Sequence, residues 1–325
     1  MAKLNMVQAI NQAIDQEMSR DKSVMIMGED VGVDGGVFRV TDGLVTKHGK
    51  DRVVDTPLAE AGIVGTAVGL AINGMKPIVE IQFIGFAYEA FHHINHHMSR
   101  FRQRSENAFC VPMVLRSPTG GGIKALELHS ESPETFFVHS QGMKVVVPSN
   151  PYDAKGLMIS AIRDMNPVIF LEPEKLYRSF KDEVPEESYT VPIGEAKVVR
   201  EGKDVTLIAW GAMLRMCLDV AEMMKTQGVD CEIIDLRTVW PLDEEKIIES
   251  VKKTGRAVVV YEAPKTGGFG GEIAARIQEK AILHMKSPVV RVASFDVPYP
   301  QFALEDYFLP NKTRIIKGIK KAMSY

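Results

Sequence analysis

Cysteine is scarce in this chain. Only Cys110, Cys217 and Cys231 are present and no CxxC pair occurs, which excludes a disulfide framework and a zinc knuckle and points to a reducing, cytoplasmic setting. Long runs of Lys and Arg are also missing, and the net charge is −3. That balance leaves no electrostatic footprint for nucleic acid or an anionic membrane, so small molecules and other proteins are the expected partners. No uninterrupted apolar stretch approaches the roughly 18 residues of a membrane span. The opening MAKLNMVQAINQAIDQ passes into an amphipathic, acid-containing helical pattern, unlike a signal or Arg-rich transit peptide. Compositional extremes are absent too: 45% hydrophobic and 25% charged residues exclude a disordered or collagen-like chain. At 325 residues, about two domains are expected.

The pattern that is present alternates strands with helices. Met6, Ile10, Ala13 and Ile14 recur at helical spacing behind an Asn5/Gln8 capping box. Short apolar runs at 24–28, 76–83, 111–116, 143–148 and 166–172 read as strands. Helical patterns at 61–73, 87–104 and 153–164 lie between them, the last entered through Ser149-Asn150-Pro151. A charged, proline-containing stretch follows, and a second series then starts at 204–211 and continues through 229–237, 242–253, 256–264, a helix from about Gly271, and 288–295. The expected architecture is two parallel-sheet α/β domains, residues 1–185 and 204–325, joined across 186–203.

Three places invite chemistry. From Ala61 to Met75 no residue is charged, and Gly62, Gly65, Thr66 and Gly69 are small, which suggests a buried helix approached closely by another. Glu60 heads it. Desolvation there raises a carboxyl pKa while the helix N-terminus opposes the rise, but an acid that only complements the helix dipole explains the position as well. Gly120-Gly121-Gly122 permits close backbone approach, and His129 follows in a polar loop, either as an acid–base group or as a solvated histidine. The glycine run lacks both the GK[ST] ending of a P-loop and a GxGxxG. His92/His96 and His93/His97 have chelating i,i+4 spacing, but there is no third ligand or HExxH glutamate, so a subunit contact or solvated face is preferred over metal. TGGFGGE at 266–272 suits either anion binding at a helix N-terminus or close packing.

With these residues in view, the whole chain resembles the beta subunit of the decarboxylating component of 2-oxo acid dehydrogenase complexes. The resemblance is carried in order by MGEDVG (27–32), DTPLAEAGIVG (55–65), EIQF (80–83), LRSPTGGG (115–122), LHSESPE (128–134), RDMNPVIFLEP (163–173), EVPEESYTVPIG (183–194), DLRTVWPLD (235–243) and KTGRAVVVYEAPKTGGFGGEI (253–273). It implies a thiamine-diphosphate pyrimidine-binding domain followed by a transketolase-like C-terminal domain. It further implies that Glu60 hydrogen-bonds N1′ of the cofactor's aminopyrimidine, that Leu58, Gln82 and Phe86 lie beside the same ring, and that His129 stands near the reacting carbon. A structural potassium ion is implied at Met113, Ala161, Ile162, Asp164 and Asn166, mostly through backbone oxygens.

Relatives of this kind bind the diphosphate through Mg²⁺ with a GDG…N motif, and no GDG occurs here. The resemblance therefore implies an alpha subunit that supplies it, an α2β2 heterotetramer, and a dihydrolipoyl acyltransferase that receives the acyl group, with Asp296 and Tyr325 as docking candidates. EAPKTGGFGGEI and FLEPEKLYRSF favour a branched-chain 2-oxo acid as substrate, with pyruvate as the alternative. A half-transketolase and a catalytically silent subunit are the remaining readings.

Overall fold

The computed structural model describes residues 1–325. Fourteen strands form in chain order: β1 (Ala2–Leu4), β2 (Val24–Gly28), β3 (Val53–Asp55), β4 (Lys76–Glu80), β5 (Val114–Thr119), β6 (Lys144–Val146), β7 (Val168–Pro173), β8 (Asp182–Val184), β9 (Lys197–Arg200), β10 (Val205–Ala209), β11 (Cys231–Asp235), β12 (Thr238–Trp240), β13 (Ala257–Pro264) and β14 (Val290–Ser294). One sheet has the order β12-β6-β7-β5-β4-β2-β3 and the other β14-β13-β10-β11-β9, while β1 pairs with β8 alone. Both large sheets are parallel except at one edge, where β12 and β9 run antiparallel to β6 and β11. The alternation of strand and helix in the sequence produces this directly, because a parallel neighbour needs a crossover helix. Within 186–203, residues 197–200 form β9 and join the second sheet.

Two apolar layers cover opposite faces of the sheets. Val205, Leu207 and Ala209 of β10 face one layer with Met6, Ile10, Leu157 and Ile315, whereas Ile208 faces the other with Val64, Val68, Ile247 and Ile273. Each layer draws residues from both halves of the chain. The period-2 alternation of a strand buried on both faces explains the split.

Helix Met6–Arg20 starts at the expected capping box, with Asn5 Oδ1 accepting from the Gln8 N–H at 2.9 Å and the Gln8 side chain returning to the Asn5 N–H at 3.1 Å. Helix Pro151–Arg163 is capped by Asn150, with Pro151 in its first turn. Two expectations need correction. The helix read at 87–104 is broken into a 3₁₀ turn (84–88), an α turn (91–93), a π segment (94–98) and a final α turn (101–104). The π segment is closed at Ser99, whose N–H donates to the Ile94 carbonyl five residues back at 3.0 Å while its hydroxyl donates to the Asn95 carbonyl at 2.7 Å. The helix expected to be wholly buried, Glu60–Ile72, buries Ile63, Val64, Ala67, Val68 and Ala71 but leaves Gly62 and Thr66 exposed. Of its small residues, only Gly65 is closely approached, by the His93 ring.

Candidate active site

The strands β5, β4, β2 and β3 are neighbours in one sheet and end along one edge, the carboxyl edge at which open α/β sheets bind ligands. Every proposed pyrimidine-site residue lies just past such an end. Beyond β3 the chain runs through Thr56–Ala59, and Ala59 (φ −162°) turns it into the helix that Glu60 opens. Glu60 is 8% exposed, so its carboxylate sits at a helix N-terminus but largely out of water. Glu29, just past β2, is equally buried; burial and then the charges of Glu60, Asp30 and Glu80 push its carboxyl up. Glu29 is an acid that sequence reasoning missed, although it lies in the MGEDVG segment directly behind a fully buried strand.

Gln82 and Phe86 follow β4. The Gln82 amide donates to Asp30 Oδ2 at 3.3 Å, holding the side chain over the end of β2. His129 comes from the loop beyond β5, yet its ring lies edge-on to both Phe86 (5.1 Å between centroids) and Phe83 (4.4 Å). Its Nδ1 is 3.1 Å from the Glu127 carbonyl, which only accepts, so Nδ1 is the donor and Nε2 has no partner within the chain. Leu128, immediately before it, has φ +63°, and Gly85 has no Cβ to obstruct the Leu128 carbonyl. The structure therefore brings Phe86 and His129 into contact, and places Gln82, through Asp30, and Glu60 on the same edge. Leu58, two residues before Glu60, projects into solvent at 79% exposure, and Val33, whose N–H donates to Asp55 at the end of β3, at 77%, so apolar side chains on this edge lack cover from this chain.

The potassium set lies at the other end of the same sheet. Met113 precedes β5, Ala161 and Ile162 end the helix Pro151–Arg163, and the Ala161 carbonyl accepts from Asp164 N at 3.2 Å. Asp164 Oδ1 accepts from Asn166 N at 2.9 Å while Oδ2 pairs with Lys144, and Asn166 Oδ1 accepts from Arg102 at 2.6 Å. Both readable side chains are thus already engaged by protein groups. The four histidines do cluster, with His92–His96 and His93–His97 centroids 4.9 and 5.5 Å apart, but no three metal-binding side chains in the chain converge on a common point. In the second domain, Thr266 fixes Asp296 through its N–H (2.7 Å) and hydroxyl (2.8 Å), and Tyr325 is exposed.

Sequence reasoning also missed the acids that hold the histidine loop. Glu262 Oε2 accepts from Gly121 N at 2.9 Å, and Glu305 accepts from Lys124 N at 3.0 Å and from the Tyr299 hydroxyl at 2.8 Å. Both belong to the second domain, so the first domain's glycine run is anchored across the domain boundary. The glycines were visible; their partners, more than 140 residues away, carry no local signal.

No helix of the chain is long and apolar enough to cross a membrane. Comparison with known proteins agrees with the fold. The pyrimidine binding domain of transketolase matches residues 2–179 and the transketolase C-terminal domain residues 194–315. The pyruvate dehydrogenase E1 component subunit beta of Staphylococcus epidermidis is 50% identical over 325 residues, covering 100% of both chains, and that of Acholeplasma laidlawii is 51% identical over 321 residues, covering 99% of this chain and 98% of its own. A solved split gene transketolase, described as an inactive beta4 tetramer, superposes with a TM-score of 0.81 at 23% identity over 99% of each chain, a likeness of fold. The chain belongs to the transketolase-like, thiamine-diphosphate-dependent family of E1 beta subunits of 2-oxo acid dehydrogenase complexes, enzyme components that work with an alpha subunit.

Proposed function

We propose that this chain is the beta subunit of a pyruvate dehydrogenase E1 component, with Glu60 and His129 as its catalytic side chains. The observation that carries the proposal is the half-buried edge where Glu60 heads its helix and Gln82, Phe86 and His129 close around the ends of β4 and β5. The residue types suit a ring with a protonatable nitrogen: an acid of low exposure on this edge, with an aromatic and an amide from the end of the neighbouring β4. The substrate reading rests on full-length relatives named for pyruvate, and it replaces the branched-chain preference drawn from short segments. The domains are proposed as 1–185 and 204–325 with their junction across 186–203, β9 within it pairing into the second sheet.

When bound, thiamine diphosphate supplies the carbon nucleophile that adds to the 2-oxo group. This chain's residues govern protons around it. Glu60 would hold the proton at N1′ of the pyrimidine, oriented by the start of its helix. Gln82 and Phe86 fix the ring plane, with Leu58 at its rim. His129, with Nδ1 committed to the Glu127 carbonyl, offers Nε2 to take or return a proton beside the reacting carbon during transfer to a lipoyl group. The uncovered Leu58 and Val33 are proposed to meet the alpha subunit in an α2β2 heterotetramer, which supplies the Mg²⁺ ligands this chain lacks. A dihydrolipoyl acyltransferase is the proposed acceptor, docking near Asp296 and Tyr325. A potassium ion at Met113, Ala161, Ile162, Asp164 and Asn166 would gain helix C-terminal carbonyls and share Asp164 with Lys144.

The test is decarboxylation by the chain assembled with its alpha subunit. Pyruvate should be turned over faster than 3-methyl-2-oxobutanoate, and Glu60→Gln should lower kcat by about 100-fold or more while leaving assembly intact. Near-normal turnover by Glu60→Gln would sink the catalytic assignment. A preference for the branched acid would sink the substrate assignment alone.

A further inference from the structure

Beneath the histidine loop, where β5, β7 and β13 end, the two domains line a half-open cavity of about 30 Å³ formed by Thr119, Ser132, Glu134, Trp210 and Glu262 among others. Such a volume holds one water or one small ion. Glu134 lines it, is 3% exposed, and has an oxygen, Oε1, with no hydrogen-bond partner. Glu262 commits Oε2 to Gly121 N at 2.9 Å, and the Thr119 hydroxyl donates to the Glu131 carbonyl at 2.9 Å, which leaves its lone pairs free. Glu174, at the end of β7, is also 3% exposed and neither of its carboxyl oxygens has a partner.

Negative charge is thus concentrated with little to balance it. Lys175 is the cation acting on Glu262, and no cation lowers the carboxyl of Glu134 or Glu174. Burial pushes the carboxyls up to about 8 for Glu134, 7 for Glu262 and 9 for Glu174; backbone N–H groups oppose the rise at Glu134 and Glu262, while the charge of Glu262 adds to it at Glu134 and Glu174, and that of Glu305 at Glu262 and Glu174. Near neutral pH these groups are poised between protonation and pairing with a cation. Carboxylate and hydroxyl oxygens are hard ligands, which select alkali or alkaline-earth ions over softer metals. Two acids and neutral oxygens in a one-ion space, with no convergent set of three acidic, His or Cys side chains, suit a single positive charge.

We propose that this cavity is a binding site for one alkali-metal cation, held by Glu134, Glu262 and the Thr119 hydroxyl, which ties the histidine loop to the second domain. It is separate from the potassium set at Met113, which precedes β5, whereas Thr119 ends that strand roughly 20 Å away.

Crystals of the assembled enzyme soaked in thallium(I) acetate provide the test, independent of activity. The expected result is an anomalous peak between Glu134 and Glu262 that disappears in Glu134→Gln, while any peak at the opposite end of β5 persists. No peak in the wild-type cavity, or one that survives Glu134→Gln, overturns the proposal. If Glu134→Gln does not fold, Glu262→Gln is read by the same two criteria.

Discussion

Arg116 is the largest fully buried side chain of the molecule, and its charge is balanced entirely by residues brought from neighbouring strands. Its guanidinium forms a two-pronged pair with Glu172, 2.7 Å on each prong, and also reaches Glu80, while the Tyr177 hydroxyl donates to Glu172 at 2.6 Å. Burial pushes the Glu80 carboxyl up, and Arg116 opposes that rise. Removing the arginine would strand two carboxylates in a dry interior. Arg116→Leu is therefore expected to lower the unfolding free energy by about 3–5 kcal/mol, read from urea denaturation; a loss below about 1 kcal/mol would mean the acids are already neutral. The network was illegible in sequence even though EIQF, LRSPT and FLEP each stood out. Its members are 36 and 56 residues apart and meet only once β4, β5 and β7 lie side by side. Glu60 could be read because it heads a chargeless helix. His129 could be read as a candidate from its polar loop after the glycine run, with a solvated histidine left open, whereas Gln82 and Phe86 needed family likeness, since nothing in their spacing marks them.

Among elements, the pairing of helix Met6–Arg20 with helix Pro151–Arg163 is pinned by Glu17, which is fully buried and receives Arg163 at 2.6 and 3.0 Å. Burial alone would raise the Glu17 carboxyl, but hydrogen bonds from Arg163 and then Arg20 outweigh it and hold the group below its ordinary value of 4.5. A depressed folded value stabilises the protein above the unfolded value, and that stability is lost as pH falls through the folded one. The thermal midpoint should thus drop from about pH 5 toward pH 3, and Glu17→Gln should flatten that slope while lowering stability at neutral pH. An unchanged slope in the variant would assign the acid limb to other carboxyls. The 3₁₀ turn at 84–88 has a different task. A Cβ on Gly85 would overlap the Leu128 carbonyl, so Gly85→Ala should displace the His129 loop and cut kcat by about tenfold or more in the assembled enzyme, with helical content by circular dichroism preserved. Helices with caps and clear apolar periodicity were legible to within a residue or two; the segment 84–104 was not, because its helical pattern is divided among 3₁₀, α and π turns, the last closed at Ser99.

At the scale of the whole molecule, alternating strand and helix patterns announced two α/β units, and both are present. The crossing of β12 was hidden: Thr238–Trp240 sits inside a stretch that reads as the second unit, yet it pairs antiparallel with β6 and completes the edge of the first sheet. Both apolar layers likewise run through the two halves. A fragment ending at residue 203 should expose the outer edge of β6 and part of both layers, and should aggregate by light scattering at concentrations where the full chain stays dispersed; a monodisperse, cooperatively melting fragment would contradict this. The same strand limits how such a protein could be rebuilt over generations. Exchanging the second unit for a relative's would also exchange the edge of the first sheet, so the newcomer would have to match β6 as well as fold by itself, and the two halves are bound to be inherited together.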